Sequence, residues 1–226
     1  MWSGINSNSL FDDYKIESLN NNEIGFEINL DHLQRALKSG QNATNINAKL
    51  TKKNTLPYLS LSIDIIQTNG SLMTIVQDVP IVLLSAQQLA NYTEPHLPDP
   101  EVHIMMPSLI KLRPVIDKMK NVADSLCIEA TMAGEMNFRV ETEMVSMATM
   151  YKNLEHPTIE GRSPPQPDPE KKATVKLDIK KFHKFLFSYL VSPTNVICCI
   201  VETRAVVLHV LVEDLYLTYY IPVLSA

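Results

Sequence analysis

A strand that runs into a helix without a loop, and out of it into another strand, is the pattern that most limits how this chain folds. Residues 174–179 alternate apolar and polar side chains in the manner of a strand. Residues 180–190 then carry Phe182, Phe185, Leu186, Tyr189 and Leu190 at i, i+3, i+4, i+7 and i+8, which makes one apolar stripe along a helix. At about 100° per residue, Lys180, Lys181 and Lys184 fall together on the opposite side. Ser192-Pro193 ends the helix, and residues 195–201, rich in β-branched residues and cysteine, form the next strand.

The same plan occurs earlier in the chain. In residues 23–28, Ile24, Phe26 and Ile28 alternate as a half-buried strand, and a helix follows over residues 30–39. Leu30, Leu33 and Leu37 share one side of it, Arg35 and Lys38 share the other, and Gly40 is placed to cap its end. Thr44-Asn45-Ile46 then repeats in Thr194-Asn195-Val196 after the later helix. A third, looser copy has a strand over residues 102–105 and a helix over 108–120, with Leu109, Leu112, Val115, Ile116 and Met119 on one side. Pro114 lies inside that helix and is expected to kink or delay its first turns.

Antiparallel meanders are predicted between these units. Residues 44–51 pair with 57–67, residues 72–84 give one or two strands broken near Pro80, and residues 126–130, 136–141 and 144–152 form a second set. A last hairpin joins 205–212 to 215–224. Repeated strand-helix-strand units separated by antiparallel strands, with helices gathered on one sheet face, define an α+β architecture. Residues 85–100 hold three prolines and no sustained period, so they read as a connection. The expected division is therefore 1–84, a connecting loop 85–100, and 101–226.

Charge is uneven. The net charge is −5, yet the helical segments 30–39, 108–120 and 180–190 together carry +7, leaving −12 for the rest. An acidic chain with basic helices has one face suited to a polyanion and another that repels it. Ordinary solvated helix faces are the alternative for any one helix, and agreement of all three weakens it.

Chemistry-bearing motifs are sparse. His32, His96, His103, His156, His183 and His209 are scattered without metal-ligand spacing, and with only six glycines there is no Gly-rich phosphate loop. No catalytic residue, metal site or cofactor is therefore expected. Asp12-Asp13 and Glu213-Asp214 read as surface carboxylates. Cys127, Cys198 and Cys199 lie in apolar strand-like runs and read as reduced core residues, as do Met132, Met136, Met144, Met147 and Met150. Residues 155–172 read as an exposed loop with five prolines, containing Ser163-Pro164 and a PxxP at Pro164 to Pro167. No apolar run reaches the 18 or so residues that cross a bilayer, and the amino terminus lacks signal-peptide features, which predicts an intracellular protein.

The segments HLPDPEVHIMMPSL, VIDKMKNVADSLCIEATMAGEMNFRVETE and EDLYLTYYIPVLS resemble the Hus-one subunit family of the nine-one-one DNA-damage checkpoint clamp. That family shares the fold of the replicative sliding clamp. The resemblance runs from about Met1 to Leu224 and is strongest from Pro98 to Glu143. It implies a sliding-clamp fold of two similar domains with two helices each; with three helices here, the first domain is expected to be incomplete, lacking its initial strand-helix-strand portion.

It also implies a non-catalytic, nuclear subunit of a heterotrimeric ring with Rad-nine and Rad-one type sisters. A clamp loader would place that ring on double-stranded DNA without sequence specificity, as a platform for checkpoint signalling and repair enzymes. On this reading Arg35, Lys38, Lys111, Lys118, Lys120, Lys180, Lys181 and Lys184 are the DNA-facing set. Ile221, Pro222 and Leu224 are the partner-binding candidates. Residues 73–84 and 144–152 are the expected edge strands between subunits. The alternative is a homotrimeric replicative-type clamp acting as a polymerase processivity factor.

Overall fold

A computed structural model describes residues 1–157 and 171–224. The Ser163-Pro164 and PxxP motifs lie outside the described residues. Two compact units emerge, Met1–Tyr14 with Glu94–Ala226, and Lys15–Thr93.

The chain begins with strand β1 (Trp2–Ile5) and one helical turn, α1 (Ser7–Leu10). The smaller unit follows as β2 (Phe26–Ile28), α2 (Leu30–Lys38), β3 (Asn45–Lys53), β4 (Leu56–Ile66), β5 (Leu72–Leu83) and the short α3 (Ala86–Leu89). Its strands form one antiparallel sheet in the order β2-β5-β4-β3. Asn54 and Thr55, at φ of 48° and 71°, make the two-residue turn that joins β3 to β4 with the twist a hairpin needs. Asn29 caps α2 by accepting from the backbone N–H groups of Asp31 and His32 at 3.0 and 3.1 Å. Strand β5 runs unbroken through Pro80, which is tolerated because β2 joins the sheet only from Ile81 onward. The core is small: Ala36 of α2 packs with Leu61, Ile63 and Val79 of the sheet.

The larger unit continues with β6 (Val102–Met105), α4 (Leu109–Lys120), β7 (Ser125–Thr131), β8 (Met136–Glu141) and β9 (Ser146–Tyr151). Then come β10 (Lys172–Asp178), α5 (Ile179–Phe185), a 3₁₀ turn over Leu186–Val191, β11 (Asn195–Val201), β12 (Ala205–Val212) and β13 (Leu215–Pro222). The strand-helix-three-strand plan thus occurs twice in this unit and once in the smaller one. The two copies here exchange their first strands. β6 of the first copy completes the sheet β1-β13-β12-β11-β6, and β10 of the second completes β10-β7-β8-β9. Neither copy can form its sheet alone.

The helices bury the predicted stripes between these sheets. Leu112, Ile116 and Met119 of α4 are fully buried, as are Phe182 and Leu186 of the second helical segment, with Phe185 almost so. A run of aromatic contacts, Phe138 to Phe182 to Phe185 to Tyr219, has ring centroids 5.9, 5.7 and 5.2 Å apart and links β8 to β13 through α5. Pro114 does not delay α4, whose first turn forms through Lys111 and Leu112 N–H bonds to the Ser108 carbonyl. Leu190 departs from the expectation. From Leu186 the helix tightens to about three residues per turn, so Leu190 eclipses the exposed Phe187 and is 67% exposed.

Residues 1–14 also depart from the expected division. β1 pairs antiparallel with β13, from Trp2 opposite Thr218 to Ile5 opposite Leu215, and Asn6 N–H donates to the Asp214 carbonyl. Nothing near Met1-Trp2 in sequence offers a partner, but the edge of β13 does. Gly4 lies opposite Tyr216, whose side chain occupies the space an added Cβ would need.

Replacing Phe182 by alanine is expected to remove about 3–5 kcal/mol of stability, because the ring touches both sheets through its neighbours. Replacing Leu190 by alanine should cost about 0.5 kcal/mol or less. Denaturant unfolding of the two variants measures the contrast, and equal losses would contradict the packing described.

Candidate nucleic-acid interface

Helices α4 and α5 lie side by side, and their cations divide into two sets. On α4, Lys111 and Lys118 are seven residues apart and both open to solvent. Arg113 and Lys120, also seven apart, turn toward α5 and the 3₁₀ segment. Two turns of helix separate the members of each pair, so each pair shares a side.

The inward set makes a seam around Asp117. Its carboxylate lies 2.6 Å from His183 Nε2, 3.4 Å from Lys120 Nζ and 3.9 Å from Arg113 Nε. Arg113 also donates to the Tyr189 hydroxyl at 2.9 Å and sits 4.3 Å over the Phe187 ring. Burial alone would raise the Asp117 carboxyl, but His183 and Lys120 outweigh it and hold the group below its usual range. Lys120 is therefore a seam residue with its charge shared, unlike Lys111 and Lys118.

The outward set on α5 is Lys180, Lys181 and Lys184. Asp178 caps this helix by accepting from the backbone N–H groups of Lys180 and Lys181 at 2.8 and 3.1 Å. Lys180 reaches Asp124 at 2.8 Å across an exposed surface, and that pairing holds the lysine above its ordinary pKa and the carboxylate below its own. Among the described residues, Lys181, Lys184, Lys111 and Lys118 have no ion pair within 4 Å. In the smaller unit, Arg35 and Lys38 are exposed on the last turn of α2, with Arg35 Nε donating to the Asp31 carbonyl at 3.3 Å.

The description "Hus1-like protein" belongs to the family model that matches residues 1–225. The chain belongs to the Hus1-like family. It is 43% identical over 222 residues to the checkpoint protein hus1 homolog of Dictyostelium discoideum, covering 97% of this chain and 79% of the relative. It is 36% identical over 228 residues to checkpoint protein HUS1 of Homo sapiens, covering 100% of this chain and 81% of the relative. Among solved structures it is similar to PCNA of Thermococcus kodakaraensis, with a TM-score of 0.62 at 19% identity over 95% of this chain and 78% of the other. The PCNA of Entamoeba histolytica gives a TM-score of 0.60 at 18% identity over 88% and 71% of the two chains. The fold of this Hus1-like chain is the sliding-clamp fold.

The remaining candidates of the Hus1-like chain scatter. Ile221 faces the core opposite Val206 and is 4% exposed, so it presents no surface to a partner, whereas its neighbour Pro222 points outward. Leu224 is 39% exposed, and its N–H donates to the Lys176 carbonyl at 2.8 Å, carrying the chain end to the second sheet. The Tyr220 hydroxyl donates to Glu94 at 2.6 Å, and burial, aided by that carboxylate, pushes its pKa up to about 12. Cys198 is fully buried, while on the other face of β11 burial pushes the Cys199 thiol up to about 11. Met132 and Met136 are core, but Met144 and Met150 are exposed around edge strand β9. Among the described residues there is no group of three His, Cys, Asp or Glu side chains placed to hold a metal, and no helix is long and apolar enough to cross a membrane.

Two seam residues, Asp117 and Phe187, were not singled out by sequence reasoning. Phe187 carries a visible signal, since it is aromatic yet lies off the apolar stripe.

Because the Asp117 carboxyl is depressed in the folded state, the stability it contributes is present above its unfolded pKa of about 3.9 and is lost as pH falls through the folded value. Asp117→Asn should flatten the acid side of the stability–pH curve below about pH 4. Urea unfolding across pH checks this, and parallel curves for the two proteins would refute it.

Proposed function

We propose that this Hus1-like chain is the non-catalytic subunit of a heterotrimeric checkpoint clamp that encircles duplex DNA in the nucleus. Its sisters are of the Rad-nine and Rad-one types. Identities of 43% and 36% to checkpoint proteins, against 19% and 18% to PCNA structures, favour this branch over a homotrimeric replicative clamp. The observation that carries the DNA contact is the set of open cations. Lys111 and Lys118 on α4, with Lys181 and Lys184 on α5, offer charge to phosphates at any sequence without first breaking an ion pair among the described residues. Arg35 and Lys38 of α2 add to this set. Lys180 contributes after exchanging Asp124 for phosphate, and Lys120 contributes least.

Open strand edges support assembly. Among the described residues β9 is an unpaired end strand of its sheet and carries neither proline nor charge, the features that usually blunt an edge. β5 is open along residues 72–80, since β2 covers only Ile81–Leu83. Pairing of β9 in one subunit with the β5 position of the next satisfies both rows of backbone groups. The clamp loader and repair enzymes complete the set of partners in this reading.

The test is retention on DNA. Changing Lys111, Lys118, Lys181 and Lys184 to alanine in a ring assembled with both sister subunits should lower DNA affinity and reduce the salt slope by about 0.9 per lost phosphate contact. Melting temperature should move little. An unchanged slope in a folded, assembled ring would remove these helices from the DNA-facing wall, and a stable self-assembled trimer without sisters would defeat the checkpoint reading.

A further inference from the structure

The outer stripe of α5 does not stay cationic along its length. Lys180 and Lys184 are four residues apart, Phe187 follows three later, and Leu190 follows after one further turn of 3₁₀ helix. At about 100° per residue in the α-helix and about 120° in the 3₁₀ segment, these four side chains stand within about 40° of one another. The stripe therefore begins with two ammonium groups and ends with an aromatic ring and a leucine, 40% and 67% exposed.

The exposed Phe187 ring is packed by two side chains. The Arg113 guanidinium covers it at 4.3 Å from the centroid, and the His183 ring meets it edge-on at 5.5 Å and 89°. Arg113 is itself fixed by the Tyr189 hydroxyl, and His183 by Asp117. The seam thus orients the ring while leaving much of it open. A flat, positioned π surface in line with lysines is the combination that takes single-stranded nucleic acid, where cations follow the backbone and bases stack on the ring. Paired bases in a duplex offer no free face for such stacking.

We propose that Phe187 is a stacking platform for an unpaired base of single-stranded DNA. The proposal rests on the DNA-facing reading of α5 and adds a base-contacting residue to it. Charge complementarity selects this occupant over an apolar peptide, because Phe187 and Leu190 are preceded by Lys180, Lys181 and Lys184, of which Lys181 and Lys184 have no ion pair among the described residues.

The experiment measures binding of the full chain to a fluorescein-labelled oligo-dT of about 20 nucleotides and to a duplex of the same length, by anisotropy at low salt. Phe187→Ala and Phe187→Leu should each weaken the single strand by about tenfold and the duplex by less than about twofold, the leucine variant keeping apolar bulk without a π face. Phe187→Trp should retain single-strand affinity, and its fluorescence should be quenched as the strand binds. Lys181→Ala with Lys184→Ala should weaken both ligands. If the Phe187 variants change neither ligand, or both equally, while the lysine variant still weakens both, the stacking proposal is overturned and the DNA-facing reading stands. If the lysine variant changes neither, both fall.

Discussion

Burial of Phe182 and Phe185 between two sheets is the interaction on which the larger unit depends. The exchanged first strands mean that each sheet is completed by the other repeat, so neither half has a complete sheet or a separate core. Something must hold the two sheets in register with one another, and α5 does so from between them. Phe138 on β8 and Tyr219 on β13 meet the same two rings. Ser188 adds a directional contact by donating to the Tyr219 hydroxyl at 3.2 Å. Since α5 is the element so held, its opposite face inherits a fixed position, and the lysines there stand on a rigid base.

The smaller unit shows what the same plan looks like without exchange. Its first strand, β2, folds back on β5 of its own meander, and among the described residues of this unit no second long helix packs beside α2. Leu30 and Leu37, which the sequence places on the apolar side with Leu33, are consequently 71% and 47% exposed. Only Ala36 of that helix is buried. A stripe that in α4 and α5 is core is here a surface, although its sequence period is as clear. Amphipathic pattern reports which side of a helix wants cover; it does not report whether cover is supplied.

That distinction marks what was legible in the sequence. Most strand and helix positions follow from local period. The same period puts Lys111 and Lys118 on one flank of α4 and Arg113 and Lys120 on the other, but it does not say which pair is open to solvent. Alternation along residues 215–224 also contains the fate of Ile221, since Leu217, Tyr219 and Ile221 share the inward side of β13 and Pro222 cannot. Three features lay beyond local reading. The partner of Trp2–Ile5 is more than 200 residues away, strand exchange is invisible to any window, and the switch from α to 3₁₀ geometry at Leu186 rotates Leu190 out of a stripe that a constant 100° step keeps it in.

The two sets of cations answer opposite demands. Arg113 and Lys120 are like charges on one flank of α4. Asp117, reached by both and by His183, offsets their repulsion, and its carboxyl is held below its usual range by His183 and Lys120 against the effect of burial. These charges are committed to structure and have little left for a ligand. Lys111, Lys118, Lys181 and Lys184 have the reverse character: long, solvated and without an ion pair among the described residues. Each such lysine gains little from any one phosphate in water, so a wall built from them holds a polyanion by number and exchanges phosphates readily. On the DNA-facing reading proposed above, weak and interchangeable contacts on a fixed frame let a surface stay on DNA while moving along it. In α5 that frame is the phenylalanine face, and the lysine face of the same helix supplies the proposed contacts.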